Sequence, residues 1–401
     1  MNARTAVVLS VALHSTASLG DGAWMRERRD ELGRVVSVVP RQHTEIGMAR
    51  ERVSLVPFLD GGVVRLFVNV RYAFANPGAP ASLLVGFPEL RGRIVERDCG
   101  YECGPGRVTT HAILEAFAAD VGGPPLPVQT LPGDGPYARW FVFTVPFATG
   151  ETSLRNLYVA NAGVVTTATN TNQSLVYSAE YVLHTGAQWA GSIGAGEIDL
   201  WDGGPQVLRR FTALRPTTHD DVHVPLDVAV TPSAGRPLFL WDYGNGQQGE
   251  SVTPRRDDGS LVQQSSALPG GALAHLGAMA LDGDPGTAWI DQGAHGGVGE
   301  WLQVPTRRLG RLRALVVQGG PTAPGTAHVR RLDVTCLDLE GNARTLTAMD
   351  RATVLLADVD GPQRVLLPRP MGPCHAVRLG VAEMNGPPTS HAGLAEVAFV
   401  D

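Results

Sequence analysis

Apolar and polar positions alternate strictly from Val64 to Phe74. Val64, Leu66, Val68, Val70, Tyr72 and Phe74 fall on one side, and Arg65, Asn69 and Arg71 on the other. A period of two predicts a strand with one face in a core and one in water. The turn Asn76-Pro77-Gly78 and the run Ser82–Phe87 then read as a return strand. Further strands are predicted over Val35–Val39, Glu51–Val56 and Thr110–Val121. In Trp140–Phe147 the residues Phe141, Phe143, Val145 and Phe147 share a face, and Pro146, lacking an N–H, marks a strand end or a sheet edge. Leu175, Tyr177, Ala179, Tyr181 and Leu183 repeat the alternation, whereas the charged stretch Met25–Glu31 reads as a mobile approach. No amphipathic helical pattern interrupts this series, so residues 32–242 are predicted to form an antiparallel β-sandwich.

The composition shifts over residues 243–261, where Gly, Gln, Arg and Asp crowd together, and this reads as a linker. A second domain is predicted over 262–401, with Trp301-Leu302-Gln303-Val304 as an alternating strand. The expected fold class is all-β, built as two sandwich domains. With 401 residues each domain has room for its own core.

Charge narrows the function. A net charge of -6 with 18% charged residues argues against a nucleic-acid or membrane-surface partner held by charge. All 33 basic residues are arginine, a bias that GC-rich coding explains without a function. Residues 1–20 open with a short basic start and the apolar run Ala6–Leu13, followed by small residues, and read as a signal peptide. No later run reaches the ~18 apolar residues a membrane span needs. The mature protein is therefore expected to be soluble and extracytoplasmic, secreted or periplasmic. Cys99 and Cys103 bound a glycine-flanked loop and predict a small local disulfide; half a zinc site is the weaker reading, since no second pair lies near. Cys336 shares a strand face with Leu332 and Val334, so a bridge to Cys374 and a buried free thiol are both open.

One turn carries the sharpest signal. Asp282-Gly283-Asp284-Pro285-Gly286-Thr287-Ala288-Trp289 places two carboxylates and a hydroxyl in a Gly/Pro bend, with Gly297-Val298-Gly299-Glu300-Trp301-Leu302 close behind. Such an oxygen cluster suits a hard cation such as calcium. It equally suits an Asx turn stapling two strands without metal. These phrases resemble the discoidin family, the coagulation-factor-five/eight type C domains, and within it the glycan-binding domain first described in NAD glycohydrolases, which serves toxin translocation. The resemblance continues through Leu315-Val316-Val317-Gln318-Gly319 and Arg331-Leu332-Asp333-Val334 to Leu394-Ala395-Glu396-Val397-Ala398-Phe399, over roughly the last third of the chain.

The resemblance implies a galactose-binding-like jelly roll that recognises carbohydrate through loops at one end. It implies a structural Ca2+ held by Asp282, Asp284, Thr287 and Glu396, and ligand contacts from Asp291, Gln292, His295, His328 and Arg330. This sequence departs from the family at Ala327 and His328, where an Asn-Arg pair is usual, and at Gly393 and Ala395, which replace polar residues. The first domain resembles a family of exported bacterial domains of unknown function, through Met48–Val53, Val85–Glu89 and Tyr181–Trp189.

Catalytic patterns are weak. Ala190-Gly191-Ser192-Ile193-Gly194 is one residue short of a nucleophile elbow and lacks the strand-to-helix turn that exposes a nucleophile. Gly297–Leu302 lacks the third glycine of a dinucleotide fingerprint. His219-Asp220-Asp221-Val222-His223 sits in a polar loop without a third metal ligand. The expectation is a secreted protein without enzymatic activity that binds a carbohydrate or cell-surface component. The alternative is an envelope-assembly protein whose second module only mediates protein packing.

Overall fold

The computed structural model describes residues 25–31, 34–41, 44–60, 63–99, 107–111, 114–133, 137–169, 173–226, 241–242, 247–248, 261–293, 296–306, 309–320, 325–340, 345–387 and 389–401. The candidate signal peptide, Cys103 of the Cys99–Cys103 pair, His295 and most of the 243–261 linker lie outside the described residues.

The architecture is all-β. The first part of the chain forms a seven-stranded, a four-stranded and a six-stranded sheet. The even positions Val64 to Phe74 enter one buried cluster with Phe87, Phe117, Phe141, Phe143, Phe147, Tyr158 and Trp189. Aromatic rings meet within it, with Phe87, Phe117 and Tyr158 ring centroids 4.8 to 6.3 Å apart. Three strand expectations are corrected. The predicted Val35–Val39 strand is two short strands, Arg34–Val36 and Val39–Pro40, in different sheets. Met25–Glu31 is a strand paired on both sides, and its register sets Glu27 opposite Arg97 and Arg28 opposite Glu96. The predicted Thr110–Val121 strand is two strands, Arg107–His111 and Leu114–Asp120, in different sheets. At the entry to the second, the buried carboxylate of Glu89 accepts the Leu114 N–H at 2.8 Å, satisfying a backbone donor where the chain changes sheet.

The six-stranded sheet positions everything that follows. Its order is Pro205–Leu214, Ile193–Trp201, Gly47–Asp60, Val63–Asn76, Gly150–Asn161 and Leu114–Asp120. The expectation that the odd face of Val64–Phe74 meets water fails here. Phe67 is fully buried and Asn69 is 1% exposed, because the C-terminal module sits on that face. Val56, Phe58, Phe67, Val159 and Trp201 share one apolar cluster with Met279, Leu281 and Trp289. Backbone pairing reinforces the contact: Leu59 N–H donates to the Val262 carbonyl at 2.9 Å.

In the C-terminal module the strands run Gln263–Gln264, Trp301–Pro305, Ala376–Met384, Thr326–Glu340, His391–Val400, Leu312–Gly319 and Pro362–Met371, with Thr345–Leu355 beside Thr326–Glu340 and Trp289–Ile290 beside His391–Val400. Leu332, Val334 and Cys336 alternate inward, all fully buried. Cys336 is bonded to Cys374 across 38 residues. Among the described residues no helix is long and apolar enough to cross a membrane.

Candidate functional site: the acidic turn at the domain junction

A buried 3-10 turn, Gly277–Leu281, delivers the chain to Asp282. Gly283 then takes φ +72°, a conformation that favours glycine, and folds the next carboxylate back beside the first. Asp284 N–H donates to Asp282 Oδ1 and Gly286 N–H to Asp284 Oδ1, both at 2.9 Å, so the bend is a pair of Asx turns. The Thr287 hydroxyl lies 2.9 Å from Asp282 Oδ2 and 2.8 Å from the Asp284 carbonyl oxygen.

The first domain grips this turn. Asn69 Nδ2 donates to Asp282 Oδ2 at 2.9 Å and to Asp284 Oδ2 at 3.1 Å. Arg155 reaches Asp284 Oδ2 at 3.1 Å through Nη1 and Asp120 at 2.8 Å through Nε. Arg71 Nη2 donates to the Gly283 carbonyl at 3.1 Å. Sequence reasoning missed all three of these partners.

Glu396, on the last strand, also arrives here. Its carboxyl lies beside that of Asp282 and faces the Asp284 backbone. Burial and then the Asp282 charge push its carboxyl up to about 8. Burial likewise raises Asp282 to about 7, against the hydrogen bond from Asn69. Asp284 goes the other way: burial would raise it, but hydrogen bonds from Asn69, the Gly286 N–H and Arg155 hold it below the ordinary range. Glu396 Oε1 is buried without a hydrogen-bond partner among the described residues. Asp282, Asp284, Thr287 and Glu396 are thus neighbours made wholly of hard oxygen donors, and the orphaned Glu396 oxygen is the atom a hard cation would take. Among the described residues no three His, Cys, Asp or Glu side chains close on one point tightly enough to form a metal cage.

The candidate ligand residues are placed differently. Asp291 is fully buried, and its carboxylate accepts the Ala392 and Gly293 N–H groups, which makes it a strand-end staple. Gln292 is exposed next to it, its N–H held by Ser266 Oγ at 3.0 Å. His328 lies between Asp358, 2.7 Å from Nδ1, and Asp360, 3.3 Å from Nε2. Arg330 pairs with Glu383 at 2.6 Å. Three of these residues are therefore engaged inside the module. Packing explains one departure from the family pattern: a Cβ on Gly393 would meet the Gly320 backbone at 3.3 Å. Trp289 is fully buried, while Trp301 is half-buried with the Arg378 guanidinium 4.4 Å from its ring centre.

No protein-family model matches the chain. It is 29% identical over 184 residues to an alpha-(1->3)-arabinofuranosyltransferase of Mycolicibacterium smegmatis, which covers 46% of this chain and 12% of that protein. A protein of the same name from Mycobacterium tuberculosis is 40% identical over 73 residues, 18% of this chain and 5% of its own length. The matched segments are thus a small fraction of these curated relatives. These relatives correct the expectation of a protein without enzymatic activity, since both are named as transferases. Among solved structures, a family 32 carbohydrate-binding module of Clostridium perfringens NanJ in complex with galactose is similar over 34% of this chain and 90% of its own, at 13% identity and a TM-score of 0.27, too distant to assign a function.

Proposed function

We propose that this chain takes part in arabinofuranosyl transfer outside the cytoplasm and contributes recognition of the glycan through its C-terminal discoidin-like module. The observation that carries the reading is the 40% identity over 73 residues to an arabinofuranosyltransferase. The resemblance of the Asp282–Trp289 phrase to glycan-binding discoidin domains supports the recognition role. In this reading a structural calcium ion is held by Asp282, Asp284, Thr287 and Glu396, and it stiffens the junction that Asn69 and Arg155 already clamp. The ion neutralises buried carboxylates there.

Titration calorimetry of the full chain against arabinofuranose oligosaccharides tests the recognition role. Binding in the millimolar to micromolar range is expected, corresponding to about -4 to -8 kcal/mol. Neutral gluco-oligosaccharides should bind at least tenfold more weakly. A chain that binds no arabinofuranoside overturns the reading.

A further inference from the structure

The outer face of the six-stranded sheet changes character along its strands. Val56, Phe67 and Val159 form one cross-strand row under the C-terminal module. Two rows further on, Arg52 stands opposite Arg71, and Arg71 opposite Arg155. Like charges directly opposite on neighbouring strands destabilise a sheet unless something neutralises them. Arg155 is neutralised by Asp120 and Asp284, and Arg52 by Asp199 at 3.4 Å. Arg210, at the sheet edge, pairs with Glu197. Arg71, in the middle, meets only the Gly283 carbonyl and has no acidic partner among the described residues.

The next row is Thr212, Ala195, Arg50, Ala73 and Ser153. Its small side chains leave a groove of about 620 Å³. Arg50, Arg52, Arg71 and Arg210 border that groove against two outward acids, Glu151 and Glu197. Glu51, the third acid on its lining, turns its carboxylate into the core, where the Tyr181 and Ser37 hydroxyls donate to it at 2.7 and 2.8 Å. Arg50 pairs with Glu151 at 2.7 Å, so with Arg52 and Arg210 also paired the groove's surplus is the single positive charge of Arg71, on a chain whose net charge is -6.

We propose that this groove binds the anionic group of an acidic saccharide. A carboxylate or phosphate sits against Arg71, flanked by Arg52 and Arg50, and the Ser153 and Thr212 hydroxyls face the sugar. Guanidinium forks suit either anion through paired charge-assisted hydrogen bonds. The saccharide part rests on the carbohydrate reading above; the anion part stands on the groove alone.

Calorimetry on the full chain with trigalacturonate, glucose 6-phosphate and inorganic phosphate tests it, beside the neutral arabinofuranoside. At least one acidic sugar is expected to bind, more weakly at 0.5 M salt. Arg71→Gln should weaken that binding about tenfold or more and leave the neutral ligand unaffected. Arg50→Gln, at a 63% exposed position, gives a second variant that does not disturb the domain junction. Arg364→Gln, an exposed arginine of the other module, should change nothing. Uronate-only or phosphate-only binding identifies the anion. Failure of both acidic sugars to bind overturns the proposal, as does undiminished binding by Arg71→Gln and Arg50→Gln proteins that melt like the parent. Inorganic phosphate binding as tightly as both sugars overturns its saccharide part. Loss of the arabinofuranoside alone counts against the earlier reading and leaves the groove standing.

Discussion

Asn69→Leu is expected to destabilise the full chain by about 3 kcal/mol, the scale set by buried charged groups losing a hydrogen-bond donor. Leucine keeps the branched skeleton but removes the amide that donates to both Asp282 and Asp284. Both carboxylates are nearly inaccessible, at 2% and 7% exposure, so water cannot replace the lost donor. Asn69→Asp should cost more, because it adds a fourth carboxylate beside Asp282, Asp284 and Glu396. Urea denaturation at pH 8 without divalent cations reads the difference. A loss below about 1 kcal/mol for the leucine variant would show that the junction does not depend on this contact.

The second large effect is a fall in stability with rising pH. Glu51, Asp282 and Glu396 stand at about 7, 7 and 8 in the folded chain, against ordinary values of 4.5, 3.8 and 4.5. Burial is the first cause in each case. A raised carboxyl lets the folded state hold a proton that the unfolded state has released, so its contribution is complete below about pH 4 and lost as pH rises through 7 to 8. A tenfold difference in proton affinity between the folded and unfolded chain corresponds to about 1.4 kcal/mol, so the three groups together amount to several kcal/mol. Asp284, held below its ordinary value, acts only at lower pH. His275, lowered by burial, opposes the trend weakly near its ordinary value of 6.5. With EGTA present the melting temperature should therefore drop between pH 5 and pH 8. Under the calcium proposal, Ca2+ restores it at pH 8 and matters little at pH 5. Glu51→Gln flattens the slope and leaves the calcium response intact; Glu396→Gln flattens the slope and removes the response. A flat profile defeats the titration argument, whereas a steep profile indifferent to calcium defeats the metal assignment.

Much of the inner face was legible in the alternation itself. Val64, Leu66, Val68, Val70, Tyr72 and Phe74 all enter the core as the pattern requires. The outer face of the same strand was not, since what covers Phe67 and Asn69 lies more than 200 residues further along the chain and leaves no local periodicity. Spacing showed that Asp282 and Asp284 share a turn; that Glu396 joins them came from the family likeness, because strand order is invisible to a local pattern. The arginine partners failed for a related reason. Arg71 reads as a solvated position on a polar strand face, and no predicted strand carries Arg155, until the register sets the two side by side. Cys336 could be read as bridge or thiol because pairing depends on where residue 374 returns, and the fold brings their Cα atoms to 5.3 Å.

The last strand, His391–Val400, bears on how the module is made. It lies between Thr326–Glu340 and Leu312–Gly319, supplies the backbone partner of Trp289, and carries Glu396 to the acidic bend. Until those ten residues have left the ribosome, the middle of the module has an open seam and the bend lacks its third carboxylate. Translation must therefore run past residue 400 before this half can close, while the sheets ahead of it are free to assemble during synthesis.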